Sequence, residues 1–194
     1  MLEGPSRGDE FAEIRALNRL FVEFLADRAQ RGGHCLGLSR AAAGALRAAE
    51  PASLYALAEF PRALFQVRIP RCRPSRIADM QVETADVARY VLQLTILHSA
   101  WTLSRRKPYL AKLLLGLEDD DVRELSALDL ADIPAYCAAR ETVVCAFAQY
   151  AWLWQKLLTE TRPEARRQLH LIALQPRLDT PSPAARTFAR KASA

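Results

Sequence analysis

Glycine is scarce in this chain, with seven in 194 residues. Alanine, leucine and arginine abound instead, so the backbone is biased toward helix and away from glycine-rich phosphate loops. Histidine is limited to three, His34, His98 and His170, and they are scattered along the sequence. No nucleophile, base and helper converge by spacing, so no catalytic residue is assigned and no enzyme is expected. Long apolar runs are missing too. The longest, VVCAFAQYAWLW over residues 143–154, contains Gln149 and is too short to cross a bilayer. The opening MLEGPSRGDEF has acids where a secretory leader needs a basic start and an apolar run. The expectation is a cytoplasmic chain with no membrane insertion.

Four cysteines occur, Cys35, Cys72, Cys137 and Cys145, and none forms a C-x-x-C pair. Three sit among apolar residues, where cysteine behaves as a small hydrophobe, so buried free thiols are expected. His34 beside Cys35 has no second close pair to complete a zinc site. EDDD at residues 118–121 is contiguous and runs into Val122-Arg123, whereas a calcium loop needs alternating oxygen ligands around a glycine turn. The run reads instead as acid at a helix start, where the dipole favours it. No metal and no cofactor are expected.

The net charge is +5, and its position matters. Residues 162–194 carry seven basic side chains against two acidic ones, which accounts for the whole excess and leaves residues 1–161 balanced. The body is therefore no general polyanion binder, and broad attraction to phosphates would come from the tail. One local exception is RIPRCRPSR, which has two prolines and four arginines, Arg68, Arg71, Arg73 and Arg76. It reads as a solvated connector or, more sharply, as a contact for phosphate or an acidic partner.

Periodicity organises the rest. Phe11, Ile14, Leu17, Leu20, Phe21, Phe24 and Leu25 recur in steps of three and four, which predicts a long amphipathic helix over residues 9–31, ended by Arg31-Gly32-Gly33. Ser39 is placed to cap a short helix, and Pro51 to open another that runs to Phe60 and stops at Pro61. A second long helix is expected over residues 84–106, with Val87, Tyr90, Val91, Leu94, Leu97 and Trp101 facing inward. Short helices follow from the acidic run and from Asp132, placed to cap a helix with Pro134 in its first turn. Residues 141–160 form the last ordered piece. Trp152 and Trp154 cannot share a helix stripe, so one belongs to the core and the other to an edge that can meet a partner or another part of this chain. Trp101, Trp152 and Trp154 are together the candidate partner-facing aromatics. Beyond Pro176, proline, serine and basic residues predict disorder.

The order long helix, break, Leu-Gly-Leu, two short helices, apolar segment occurs twice. Leu36-Gly37-Leu38 answers Leu115-Gly116-Leu117, Leu46 answers Leu125, Leu54 answers Ile133, and Ala58 answers Cys137. With one residue inserted, ALFQV at 63–67 answers VVCAF at 143–147. Chance recurrence in a chain rich in alanine and leucine is the plain alternative. A helical unit of this size buries little surface alone, and a tethered copy supplies the missing face at high effective concentration. The expectation is an all-α, internally duplicated domain with pseudo-twofold packing. It has one repeat at 9–69, a basic linker at 70–82, a second repeat at 83–160 and a basic, disordered tail at 161–194.

The stretch LGLSRAAAGALRAAEPASLYALAEFPRALFQVRI at 36–69 resembles the middle of the FlhD family of flagellar transcriptional activators, with Leu57-Ala58-Glu59 as its Leu-Ala-Glu phrase. Residues 92–147 resemble it again, with Val144-Cys145 in the apolar segment. The resemblance implies a helical fold, dimeric assembly and service as a protein subunit of a transcription-activating complex, in which a zinc-binding partner, FlhC, supplies much of the DNA contact. Two copies stand here where the family has one, and little follows either copy to match the family's distal helical portion. Within this chain the pairing would be an intrachain pseudodimer open to further oligomerisation. A FlhC-type regulator is then the implied protein partner, and DNA is reached only through a complex. The competing reading is a helical adaptor of a secretion, motility or surface-polysaccharide system with no DNA role.

Overall fold

Ile14, Leu17, Phe21, Val22, Leu25, Ala26 and Ala29 are buried along one side of the first helix, α1 (Asp9–Gln30), at the spacing that makes one helical stripe. Phe11 and Leu20, counted as inward by periodicity alone, lie more than a third exposed. In their place the stripe contains Asn18, fully buried, whose side chain is spoken for by backbone. Gly32 ends the helix at φ +68°, while the Gly33 amide closes back on the Arg28 carbonyl at 2.8 Å. The computed structural model describes residues 9–69, 86–138, 142–148, 150, 151–160 and 162–174.

Two short helices follow, α2 (Arg40–Ala48) and α3 (Pro51–Ala58). The Ser39 hydroxyl accepts from the Ala42 amide at 3.2 Å, and Pro51 stands in the first turn of α3. Both pack on α1. A three-residue strand, β1 (Phe65–Val67), comes next. The second long helix, α4 (Val87–Arg106), is capped by the Asp86 carboxylate, which accepts from the Arg89 amide and also pairs with Arg28 of α1.

The inward face of α4 differs from the periodic reading. Val87 and Val91 are more than half exposed, and the buried set is Leu92, Gln93, Ile96, Leu97, Ala100, Leu103 and Ser104. The stripe is rotated because Gln93 and Ser104, polar by composition, take core positions. Helix α5 (Pro108–Leu115) was not expected; Pro108 restarts the chain at once, and Lys107 at the joint forms an ion pair with Glu10. Gly116 then turns at φ +68° into α6 (Asp119–Ala127), whose first turn carries Asp119, Asp120 and Asp121 at the positive end of the dipole. The Asp121 carboxylate accepts from the Glu118 amide at 3.0 Å. Asp129, not Asp132, is the next cap. Its side chain accepts from the Ala131 amide at the head of a 3-10 turn, Leu130–Asp132, which leads into α7 (Ile133–Ala138). Both α6 and α7 pack on α4.

Residues 141–160 are not one piece. A second strand, β2 (Val143–Cys145), is followed by a turn with Phe147 at φ +57° and then by α8 (Ala151–Thr159). β2 pairs antiparallel with β1, Phe65 opposite Cys145, Gln66 opposite Val144 and Val67 opposite Val143. The ladder continues at both ends, the Arg68 amide donating to the Thr142 carbonyl and the Ala146 amide to the Leu64 carbonyl, each at 2.8 Å. A tail disordered from residue 161 is corrected as well. Residues 163–174 form α9, which packs on α8, and its His170 ring meets Phe60 edge-on at 4.7 Å. The fold is thus mostly helical with a two-stranded ribbon among the described residues. One apolar core runs from Phe21 through Phe65 and Ile96 to Trp154. The linker at 70–82, the helix start at Thr84 and the stretch beyond Pro176 lie outside the described residues.

Candidate interaction surfaces

The first Leu-Gly-Leu turn, and the residue just before the second, are each bonded to the strand region in the opposite half of the chain. The Cys145 amide at the end of β2 donates to the Leu36 carbonyl, and the Ala63 amide just before β1 donates to the Leu114 carbonyl, both at 2.8 Å. Gly37 and Gly116 hold φ of +85° and +68°, a region in which an L side chain is strained, and Leu36, Leu115 and Leu117 beside them are buried. The sites are not identical. A Cβ on Gly37 would meet nothing, whereas one on Gly116 would overlap the Arg62 guanidinium, which lies 5.9 Å from the Phe147 ring centre.

The helices that follow the two turns also end alike. Ala49, the C-cap of α2, has φ −71° and ψ 137°, and Leu128, the C-cap of α6, has φ −64° and ψ 140°. In each case the cap amide donates to the leucine three residues earlier, Leu46 or Leu125. On the long helices the buried run Leu17, Asn18, Phe21, Val22, Leu25 has the same spacing as Leu92, Gln93, Ile96, Leu97, Ala100, so a buried amide side chain sits second in both.

The tryptophans separate by depth. Trp154 is fully buried, and its indole N–H donates to the Ala146 carbonyl at 2.8 Å, so it is a core residue and not a partner-facing one. Trp152, two positions earlier on α8, is 48% exposed beside Ala45, Gln155 and Lys156. Trp101 is half-buried. Its N–H donates to the Leu128 carbonyl at 3.0 Å, while the Arg105 guanidinium covers its ring at 4.8 Å. Of the four connector arginines Arg68 is exposed just past β1, and Arg71, Arg73 and Arg76 lie outside the described residues.

Sequence reasoning missed a groove of about 160 Å³ between α1 and α3, lined by Arg19, Val22, Glu23, Pro51, Leu54 and Tyr55, with Ala58 at its base. Tyr55 is 57% exposed and lies under the Arg19 guanidinium at 5.5 Å. Arg15 and Arg19 both approach the Glu59 carboxylate, at 3.6 and 3.7 Å. The only hint in the sequence was an exposed aromatic on a helix too short to bury all its faces.

Chemically reactive groups are held quiet. Burial pushes the Cys145 thiol well up, the Cys137 thiol to about 12 and the Cys35 thiol upward, which keeps all three from acting as thiolates. Cys72 lies outside the described residues. His34 and His98 are exposed, and burial depresses His170, with Arg166 adding to the effect. No group of three metal-ligating side chains gathers among the described residues, and no described helix is long and apolar enough to cross a membrane. Comparison with protein-family models, curated proteins and solved structures finds no match for this chain.

Proposed function

We propose that the chain consists of two FlhD-like copies closed on each other as an intrachain pseudodimer, and that it acts without catalysis as a regulator subunit, binding another protein that contacts DNA. The observation that carries the duplication is the register of the β1–β2 ribbon. Phe65 stands opposite Cys145, and these are equivalent positions when 63–67 is matched to 143–147. Antiparallel pairing centred on equivalent positions is what a twofold, self-complementary contact produces, because each surface faces its own counterpart. The similar cap angles at Ala49 and Leu128 and the matched buried amides Asn18 and Gln93 support the same reading. A non-catalytic role is supported by thiols kept protonated and by histidines set apart.

The regulatory half of the proposal rests on the resemblance and on the connector arginines. Its test is a mobility shift with and without a zinc-binding, FlhC-type partner. The expected result is a shifted DNA band that needs both proteins and weakens steeply with salt. Absence of partner binding, together with no effect on DNA at low salt, would remove this half and leave the fold unaffected. The adaptor reading is favoured by one observation, the charge balance of residues 1–161. Co-purification of membrane-associated machinery, with no transcription protein, would select it.

A further inference from the structure

The two proposed copies differ at several places on their long helices, and one difference bears on the groove. Where the buried runs of α1 and α4 are matched, Ala26 of α1 takes the place of Trp101 of α4. In the second copy the Trp101 indole leaves α4 and covers the way to the C-cap of α6, where its N–H meets the Leu128 carbonyl. Long helical side chains lean toward the helix N-terminus, so Trp101 roofs the turn holding Leu97 and His98, whose ring is 6.0 Å from its own. In the first copy an alanine offers no roof. The corresponding turn holds Val22 and Glu23, which line the groove together with Pro51, two residues past the corresponding C-cap, Ala49.

The groove thus lies beside residues whose proposed counterparts, Leu97 and His98, are covered by an indole. An indole is available on this same chain. Trp152 stands 48% exposed on α8, with exposed Lys156 one turn further along the same face. The groove rim supplies the complement in exposed Glu23, while Arg19, the other charge at the rim, is directed to Glu59 and to the Tyr55 ring.

We infer that the α1–α3 groove receives Trp152 of a second copy of this chain, with Lys156 set against Glu23, so that the protein self-associates through it. The inference rests on the duplication proposed above. An inserted indole would lie against Val22, Leu54 and Ala58 and reach the Ala49 carbonyl as Trp101 reaches Leu128. A knob and a groove on each chain let two chains close reciprocally.

Sedimentation of the full chain over a range of concentrations tests it. The expected result is reversible self-association that W152A weakens about 30-fold, the usual scale for a buried interface tryptophan. E23K and K156E should each weaken association, and the double exchange E23K/K156E should restore it. A wild-type chain that stays monomeric throughout, or one whose association ignores all of these changes, overturns the inference. A26W separates it from the duplication. If A26W folds with its new indole shielded from quencher and association is lost, both stand. If it folds so and association persists, docking fails and the duplication survives. If the new indole stays open to quencher or the fold is lost, the match between the copies fails at this position. The charge exchange then decides docking alone.

Discussion

Asn18 shows how much one polar side chain can organise. Its amide group donates to the Phe60 and Arg62 carbonyls, at 3.1 and 2.9 Å, and its oxygen accepts from the Leu64 amide at 2.9 Å. The segment between α3 and β1 therefore takes its course from a residue more than forty positions earlier. N18A would leave those backbone groups buried without partners, at a cost of about 3 kcal/mol. Urea unfolding measures this directly, and a loss below about 0.5 kcal/mol would mean water or a rearranged loop satisfies them. Asn18 was not legible in the sequence, nor were Gln93 and Ser104, because a periodic reading counts only apolar residues toward an inner face. That is why the α4 stripe was assigned one step round the helix. Ser39 and Pro51 were legible for the opposite reason: a cap and an N-terminal proline act through local backbone chemistry that no tertiary contact has to supply.

At the level of elements, α8 and α9 close over the first half of the chain, α8 through Trp154 and α9 against Phe60. α8 packs on α2 and α3, and Trp154 fixes it by filling the core and bonding to Ala146. W154A should lower stability by about 4 kcal/mol through the cavity and the lost hydrogen bond. W152A, on the exposed side of the same helix, should cost less than about 0.5 kcal/mol. Thermal unfolding of the pair at a concentration where the chain is monomeric checks the contrast, and equal losses would show the two faces misassigned. α9 depends on His170. Burial holds this imidazole below its ordinary pKa of 6.5, so the folded state resists a proton that the unfolded chain accepts. Its contribution is complete above that value and declines as pH falls through the depressed one. Protection of α9 from proteolysis should fade on acidification, and H170F should remove the dependence. Protection unchanged to about pH 5 would contradict the assignment. The sequence concealed α9 because Pro163, with Arg166 and Arg167 close behind it, resembles a linker. It concealed the strands because three residues are too few to display a period of two.

For the whole molecule, the β1–β2 ribbon joins elements that are far apart in the chain. Its hydrogen bonds, those from Cys145 to Leu36 and from Ala63 to Leu114, and the ion pairs Arg28–Asp86 and Glu10–Lys107 all run between the two halves. The shared core does the same, with Phe21, Phe65, Ile96 and Val143 in one cluster. Neither half keeps its apolar face covered alone. The helical class and the recurrence of Leu-Gly-Leu could be read from spacing, whereas the manner of closure could not, since antiparallel pairing is decided by backbone atoms that every residue has. Separate production of residues 1–82 and 83–194, followed by mixing, tests the closure most directly. Circular dichroism of each half alone should show little of its native helix, and equimolar mixing should restore the spectrum and cooperative unfolding of the intact chain. Halves that fold separately to full helical content and gain nothing on mixing would contradict the account.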